Sequence, residues 1–206
     1  FGAMSKKPII VFEGIEGSGK SHHLTRILRF FKKNNIKFIK IREPGGSINS
    51  EKIRNFLLDK KNNFNKNTDL FLYLASRSEN IELIRKNYKK KIILIDRFID
   101  STIAYQHFGF GIDIKLIEKL NNYLLKDIKV NFTFLNLVNK KNMIKRLKIR
   151  KNLNRYDRFK YEFYNKVQKG FVKLSKKNEK KYKIIDSNLD IKTNEQLILK
   201  QIKKLI

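Results

Sequence analysis

Eight consecutive residues, Gly14-Ile15-Glu16-Gly17-Ser18-Gly19-Lys20-Ser21, carry the pattern GxxxxGK(S/T). The chemistry of that pattern is polyphosphate binding. Its glycines let backbone N–H groups turn inward around phosphates, and a helix starting at its end adds a positive dipole. The lysine then reaches the β- and γ-phosphates, and the hydroxyl of the final residue ligates Mg²⁺. Gly14, Ile15, Glu16, Gly17, Ser18, Gly19, Lys20 and Ser21 are therefore expected to hold ATP, with Lys20 also catalytic. Glu16 does not suit a triphosphate, which its carboxylate repels, so it must face something else.

Two further segments carry candidate chemistry for a second substrate. Arg42-Glu43-Pro44-Gly45-Gly46 brings a guanidinium, a fixed turn and two glycines together. Such a segment can grip a phosphate, and taken alone it is equally a strand-ending turn. Asp96-Arg97 closes an apolar run and leads into Phe98-Ile99-Asp100-Ser101-Thr102-Ile103-Ala104-Tyr105-Gln106. An acid at the end of a buried strand is well placed to bind Mg²⁺ directly or through water, and the adjacent arginine can clamp an acceptor phosphate.

These residues need a scaffold, and the apolar pattern supplies one. Ile9–Phe12, Phe38–Ile41, Ile92–Ile95, Phe132–Leu137 and Tyr182–Ile185 read as five buried strands. Between them Leu24, Ile27, Leu28 and Phe31, then Ile53, Phe56 and Leu57, then Leu70, Leu74, Ile81 and Ile84 recur at helical spacing. Alternating strands and helices predict an α/β fold, a five-stranded parallel sheet flanked by helices on both faces. Ligands of such a sheet gather at the carboxyl ends of its strands. The basic stretch from about 139 to 181 has room for two helices joined by a turn near Asn152-Leu153-Asn154, and its first part, about 139–160, is the expected lid.

With the loop from Glu13 to Ser21, Arg42 to Gly46, Ala75-Ser76-Arg77, and Asp96-Arg97 through Ser101, Ala104, Tyr105 and Gln106 in place, the chain resembles the thymidylate kinases, which are nucleoside monophosphate kinases on the P-loop NTPase fold. The resemblance spans nearly the whole chain, and its REPGG and DRxxDSTxAYQ signatures are far more specific than the phosphate loop. It implies transfer of the γ-phosphate of ATP to dTMP, giving dTDP and ADP, with Mg²⁺ held by Ser21 and Asp96. It also implies that Arg42 and Arg97 hold the dTMP phosphate, that Tyr73 stacks on thymine where the family commonly has Phe, and that Arg77 reads the base. Gln106 reads another base edge, Tyr105 crowds the sugar 2′ position, Ser101 lies with them, and Glu16 meets the sugar 3′-hydroxyl. Because no arginine stands beside Glu16, the resemblance assigns the catalytic cations to the lid, which offers Arg146, Lys148, Arg150 and Arg155. Arg146 and Arg150 are expected at ATP, with Arg97 and Arg150 catalytic beside Lys20.

Two departures from the family pattern stand out. YQGxGRG becomes Tyr105-Gln106-His107-Phe108-Gly109-Phe110-Gly111, which removes an arginine, and DRxE becomes Asn154-Arg155-Tyr156-Asp157. The runner-up among enzymes is another nucleoside or nucleotide kinase with the same P-loop, such as a deoxynucleoside kinase, which needs a carboxylate base aimed at a 5′-hydroxyl; a different class is a nucleic-acid-binding P-loop ATPase.

The chain has 206 residues, 41% of them hydrophobic and 12% aromatic, enough apolar matter for a core. Zero cysteines exclude a disulfide scaffold and a thiol-ligated zinc site. No run approaches the roughly 20 apolar residues of a membrane span, and no signal-like segment follows the start, so a cytoplasmic enzyme without membrane contact is expected. Residues 1–3, ahead of Met4, read as an expression remnant, leaving one domain over 4–206. A homodimer is expected from the resemblance, packed through apolar helices such as 53–58 and 70–84. The formal charge of +29 first suggests nucleic acid, but only 11 of the 48 basic residues are Arg and the lysines are spread among Asn and Ile throughout. That reads as compositional background which helps capture anionic nucleotides at low salt.

Overall fold

The computed structural model describes residues 6–206; the proposed remnant 1–3 and Met4 lie outside the described residues. Five strands form one parallel sheet in the order β2-β3-β1-β4-β5, where β1 is Ile9–Glu13, β2 Phe38–Arg42, β3 Ile92–Asp96, β4 Phe132–Leu137 and β5 Tyr182–Asp186. Each strand follows the sequence reading to within one residue. The three central strands are continuous apolar runs because both faces are covered, whereas β2 and β5 at the edges carry exposed lysines.

Side chains alternate between faces along each strand, and the two faces build separate cores. Ile10, Phe12, Leu94 and Phe134 pack against Leu24, Ile27 and Phe31 of α1 (Lys20–Lys33) and Ile198 and Ile202 of α8 (Ile191–Leu205). Ile9, Val11, Ile93 and Ile95 face Ile81 and Ile84 of α3 (Lys66–Asn87). Ordered helices α2 (Ile48–Leu58) and α5 (Ile114–Leu125) flank α3.

Strand β1 sits at the centre because the phosphate loop follows it, and the crossover order places β3 and β4 on either side of that loop. The carboxyl ends of β1, β2 and β3 therefore converge where β1 delivers residues 14–19, β2 delivers Arg42 and β3 delivers Asp96. The segment after β4 forms α6 (Lys140–Ile149), a 3₁₀ turn (Arg155–Asp157) and α7 (Tyr161–Lys176), so the stretch expected to hold two helices and a turn does so. A feature the apolar pattern did not show is the π-helix Ile103–Gly109, which continues the short α4 (Ile99–Thr102).

Candidate active site

A cavity of about 540 Å³ opens at the carboxyl edge of the sheet, between the loop after β1 and the segment 146–156. Gly14 leaves β1 at φ 142°, and a Cβ there would lie 2.5 Å from the carbonyl oxygen of Asn136, so only glycine fits. Gly19 enters α1 in the left-handed region at φ 85°. Two carbonyls of the loop, those of Gly17 and Ser18, are held by donors from other segments. Ser18 O accepts from Asn136 Nδ2 at 3.2 Å and Ser187 Oγ at 2.5 Å. Arg146 donates to Gly17 O at 2.8 Å and to Ser187 O at 2.7 Å. With these oxygens occupied, the loop is pre-shaped around an anion.

Lys20 lies along the inside of the loop and donates to Gly14 O at 2.8 Å and Ile15 O at 3.3 Å. Burial, and then the Arg97 charge, pull its ammonium down to about 8. A polyphosphate would oppose both effects, so the loop is arranged to welcome negative charge. Gly17, Ser18, Gly19 and Ser21 also line the cavity. Gly14 and Ile15 do not: the Ile15 side chain is buried in an apolar cluster with Leu135 and Met143, and any contact it makes with a ligand is through its backbone.

The acceptor half centres on Arg97. This residue follows β3 with φ 66°, a left-handed conformation costing a non-glycine residue roughly 1–2 kcal/mol. Its backbone N–H donates to Phe12 O at 2.9 Å, its Nη2 to Glu16 Oε1 at 3.2 Å, and its guanidinium lies 5.3 Å above the Tyr105 ring. Tyr105 donates its hydroxyl to the other Glu16 oxygen. Both carboxylate oxygens of Glu16 are thus turned to Arg97 and Tyr105. Burial works against the Arg97 charge, but Tyr105, Glu16 and Asp96 more than offset it and raise its pKa above the ordinary value. Adjacent residues Asp96 and Arg97 each keep one buried polar atom, Oδ1 and Nη1, without a hydrogen-bond partner. One is an acceptor suited to a cation and the other a donor suited to an anion.

Around this centre stand the remaining expected residues. Arg42 lines the cavity with Nε and Nη2 donating to Glu51 at 3.1 and 2.8 Å, which fixes its plane. Arg77 is 1% exposed and braced by Glu43 Oε1 at 2.7 Å and Asn121 Oδ1 at 2.7 Å, presenting only its remaining edge to the cavity. Tyr73 meets Tyr156 edge to face at 5.8 Å, and Gln106 Nε2 donates to the Tyr156 hydroxyl at 3.4 Å. Ser101 reaches the lining, with its hydroxyl donated to Glu13.

A family model described as Thymidylate kinase matches residues 12–198. The chain belongs to the thymidylate kinase family. A thymidylate kinase of Thermosipho africanus is 40% identical over 184 residues, covering 88% of this chain and 90% of that protein. One from Ehrlichia ruminantium is 40% identical over 205 residues, covering 95% and 98%. The crystal structure of thymidylate kinase from Ehrlichia chaffeensis superposes with a TM-score of 0.77 at 32% identity, covering 97% of this chain and 99% of that one.

Within the family reading, the structure places two of the four lid cations off the cavity. Arg155, grouped with the cations offered to phosphate, points away from the cavity: it donates to Asp69 Oδ1 at 2.5 Å and Leu57 O at 3.1 Å, fastening the 3₁₀ turn to α2 and α3. Lys148 is exposed outside the lining. Arg146 and Arg150 do line the cavity, and Arg150 Nη1 donates to Asp157 Oδ1 at 2.6 Å. Where the family commonly carries an arginine, Phe110 enters an aromatic cluster with Tyr156, Phe159 and Phe163, its ring 4.8 Å from Phe163. Arg54 and Tyr156 line the cavity without having been found in the sequence. Arg54 donates to Pro44 O at 2.6 Å, and Tyr156 donates to Asp69 at 2.7 Å. Tyr156 is recruited by a partner 87 positions away, and Arg54 by the turn after β2, neither of which the apolar spacing records.

Proposed function

We propose that this thymidylate kinase family member transfers the γ-phosphoryl group of ATP to the phosphate of dTMP, yielding dTDP and ADP. The observation that carries this reading is that one cavity is lined by two separate cationic groups, Lys20 in the phosphate loop and the buried, incompletely partnered Arg97 after β3. A donor polyphosphate and an acceptor phosphate are both anions, and each requires its own positive site. A hydroxyl acceptor would instead need an available carboxylate base. Of the carboxylates lining the cavity, Glu16 is engaged by Arg97 and Tyr105, Glu43 by Arg77 and Asn80, and Asp96 is given to Mg²⁺. That arrangement favours a monophosphate over a nucleoside, and it gives no role to a polynucleotide.

The Ser21 hydroxyl and the unpartnered Asp96 Oδ1 form an all-oxygen donor pair of the kind that suits Mg²⁺. When bound with ATP, Mg²⁺ draws charge from the β- and γ-phosphate oxygens. The chain's own residues do the rest. The loop N–H groups and Lys20 hold the donor phosphates, and Arg97 with Arg42 holds the acceptor phosphate in line. Arg150 meets the charge of the moving group, while Tyr73, Arg77 and Gln106 fix the base. Phosphoryl transfer between two phosphates asks for alignment and positive charge, and the acceptor oxygen already lacks a proton, so no general base is assigned.

A coupled ADP-release assay with ATP and Mg²⁺ across dTMP, dUMP, dCMP, thymidine and polynucleotide tests the reading. Preference for dTMP by at least about tenfold over dCMP and thymidine is expected; turnover confined to thymidine or polynucleotide would sink it. The margin over dUMP rests on one methyl group, worth roughly 1–3 kcal/mol, or about 10–200-fold.

A homodimer is also proposed. Phe56 on α2 and Phe71 on α3 are 53% and 59% exposed on helices that pack together, an apolar face of the kind that marks an interface. Sedimentation is expected to give twice the chain mass; a value near 24.6 kDa would rule the dimer out. A cytoplasmic location is proposed on the absence of cysteine, and no helix among the described residues is long and apolar enough to cross a membrane.

A further inference from the structure

Strand β1 ends in Glu13, a carboxylate 1% exposed that does not line the substrate cavity. Its contacts all run to the segment that follows Arg97. Glu13 Oε1 accepts from Phe98 N at 2.8 Å and Ser101 N at 3.3 Å, and Oε2 accepts from the Ser101 hydroxyl. Helix α4 begins at Phe98, whose side chain cannot cap it, and no side-chain cap is formed locally. Its first N–H groups are buried and need an acceptor. Glu13 supplies from a neighbouring strand what an N-cap residue ordinarily supplies from within the helix. One residue upstream, Phe12 O takes the Arg97 N–H, so the end of β1 grips the backbone on both sides of the left-handed arginine. Asp100 of the same segment accepts from the Tyr182 hydroxyl at 2.6 Å, a further tie to β5.

We infer that Glu13 is a positioning residue for the acceptor substrate: by capping α4 from β1 it holds residues 97–101 in the conformation that aims the Arg97 guanidinium into the cavity. A strained backbone persists only where surrounding contacts over-determine it, and here Phe12 O holds Arg97 itself while Glu13 takes the N–H groups of Phe98 and Ser101 that follow it. The inference rests on the proposed reaction in that Arg97 receives the dTMP phosphate. It adds a residue that touches neither nucleotide.

Titration with dTMP alone, monitored by calorimetry, reads the acceptor site without catalysis, and titration with ATP reads the loop. Glu13→Ala is expected to weaken dTMP by about tenfold, which corresponds to about 1.4 kcal/mol, while ATP affinity stays within about threefold. Glu13→Gln keeps an acceptor for both N–H groups and is expected to restore dTMP binding to within about threefold of the parent. Burial and the neighbouring Asp100 push the Glu13 carboxyl up to about 7, so a neutral amide is a close mimic near neutral pH. Should Glu13→Ala not fold, Glu13→Asp replaces it: a shorter carboxylate keeps the charge but cannot span residues 98 and 101, and dTMP should again weaken selectively. Equal loss of ATP and dTMP affinity, unchanged dTMP affinity in Glu13→Ala or Glu13→Asp, or failure of Glu13→Gln to rescue would each overturn the inference. A parent protein that binds dTMP without phosphorylating it would defeat the proposed reaction and leave the Glu13 series interpretable. A parent that binds no dTMP would defeat both.

Discussion

Arg97→Ala is expected to lower kcat/KM for dTMP by about 10³-fold, with KM for ATP changed by less than about threefold. Truncating one partner of a buried, charge-assisted network typically costs 2–5 kcal/mol, which brackets that factor. Arg97 donates to Glu16, rests on the Tyr105 ring and keeps Nη1 for a ligand, so its removal withdraws an anion-binding group and leaves the Glu16 carboxylate facing the incoming phosphate. Both effects act on the acceptor. Arg97→Lys should recover little, because one ammonium cannot serve Glu16 and a phosphate with the paired geometry of a guanidinium. Steady-state kinetics with each substrate varied in turn, beside a thermal melt showing a folded variant, provides the check. A change below about threefold in kcat/KM for dTMP would remove Arg97 from the acceptor site.

Arg150→Ala should show a different signature, a fall in kcat of about 10³-fold with KM for ATP nearly unchanged, the pattern of a cation that acts on the moving phosphoryl group. Arg150 ends α6 in an extended conformation, and its side chain is 44% exposed while its partner Asp157 is fully buried. One nitrogen is anchored and the rest of the guanidinium faces the cavity. Arg146 is built differently, with donors committed to Gly17 O and Ser187 O, so its loss should disturb the phosphate loop and raise KM for ATP. An unchanged kcat in Arg150→Ala would exclude it as the catalytic cation and leave Arg146 as the remaining lid arginine on the cavity.

The scaffold was readable because its signals are local. A buried parallel strand is a short apolar run and the helices between strands repeat at 3.6 residues, so all five strands were placed to within one residue. The phosphate loop was equally legible, since its function depends on residues adjacent in the chain. Pairings across the fold were not. Arg155 stands in a basic stretch and was grouped with its neighbours, yet Asp69, 86 positions away, draws it off the cavity. Tyr156 and Arg54 join the site through Asp69 and Pro44, and Glu13 looks like the end of a strand until its contacts with Phe98 and Ser101 are seen. The π-helix at 103–109 escaped because a shift of hydrogen-bond register leaves the apolar spacing almost unchanged.

Phe110, standing where the family commonly has an arginine, adds a ring to the contacts under the segment over the cavity. In this chain the start of α7 rests on rings, with Phe159 and Phe163 stacked at 4.2 Å and Phe110 and Tyr156 against them, and the 3₁₀ turn adds the buried Arg155–Asp69 ion pair, which salt screens far less than an exposed one. Electrolyte weakens attraction between separated charges, over about 10 Å at 0.1 M, but does not loosen rings in contact. Brine would therefore slow the arrival of nucleotides at this cationic protein while leaving the roof of its active site seated, so that capture and enclosure answer to different properties of the solvent.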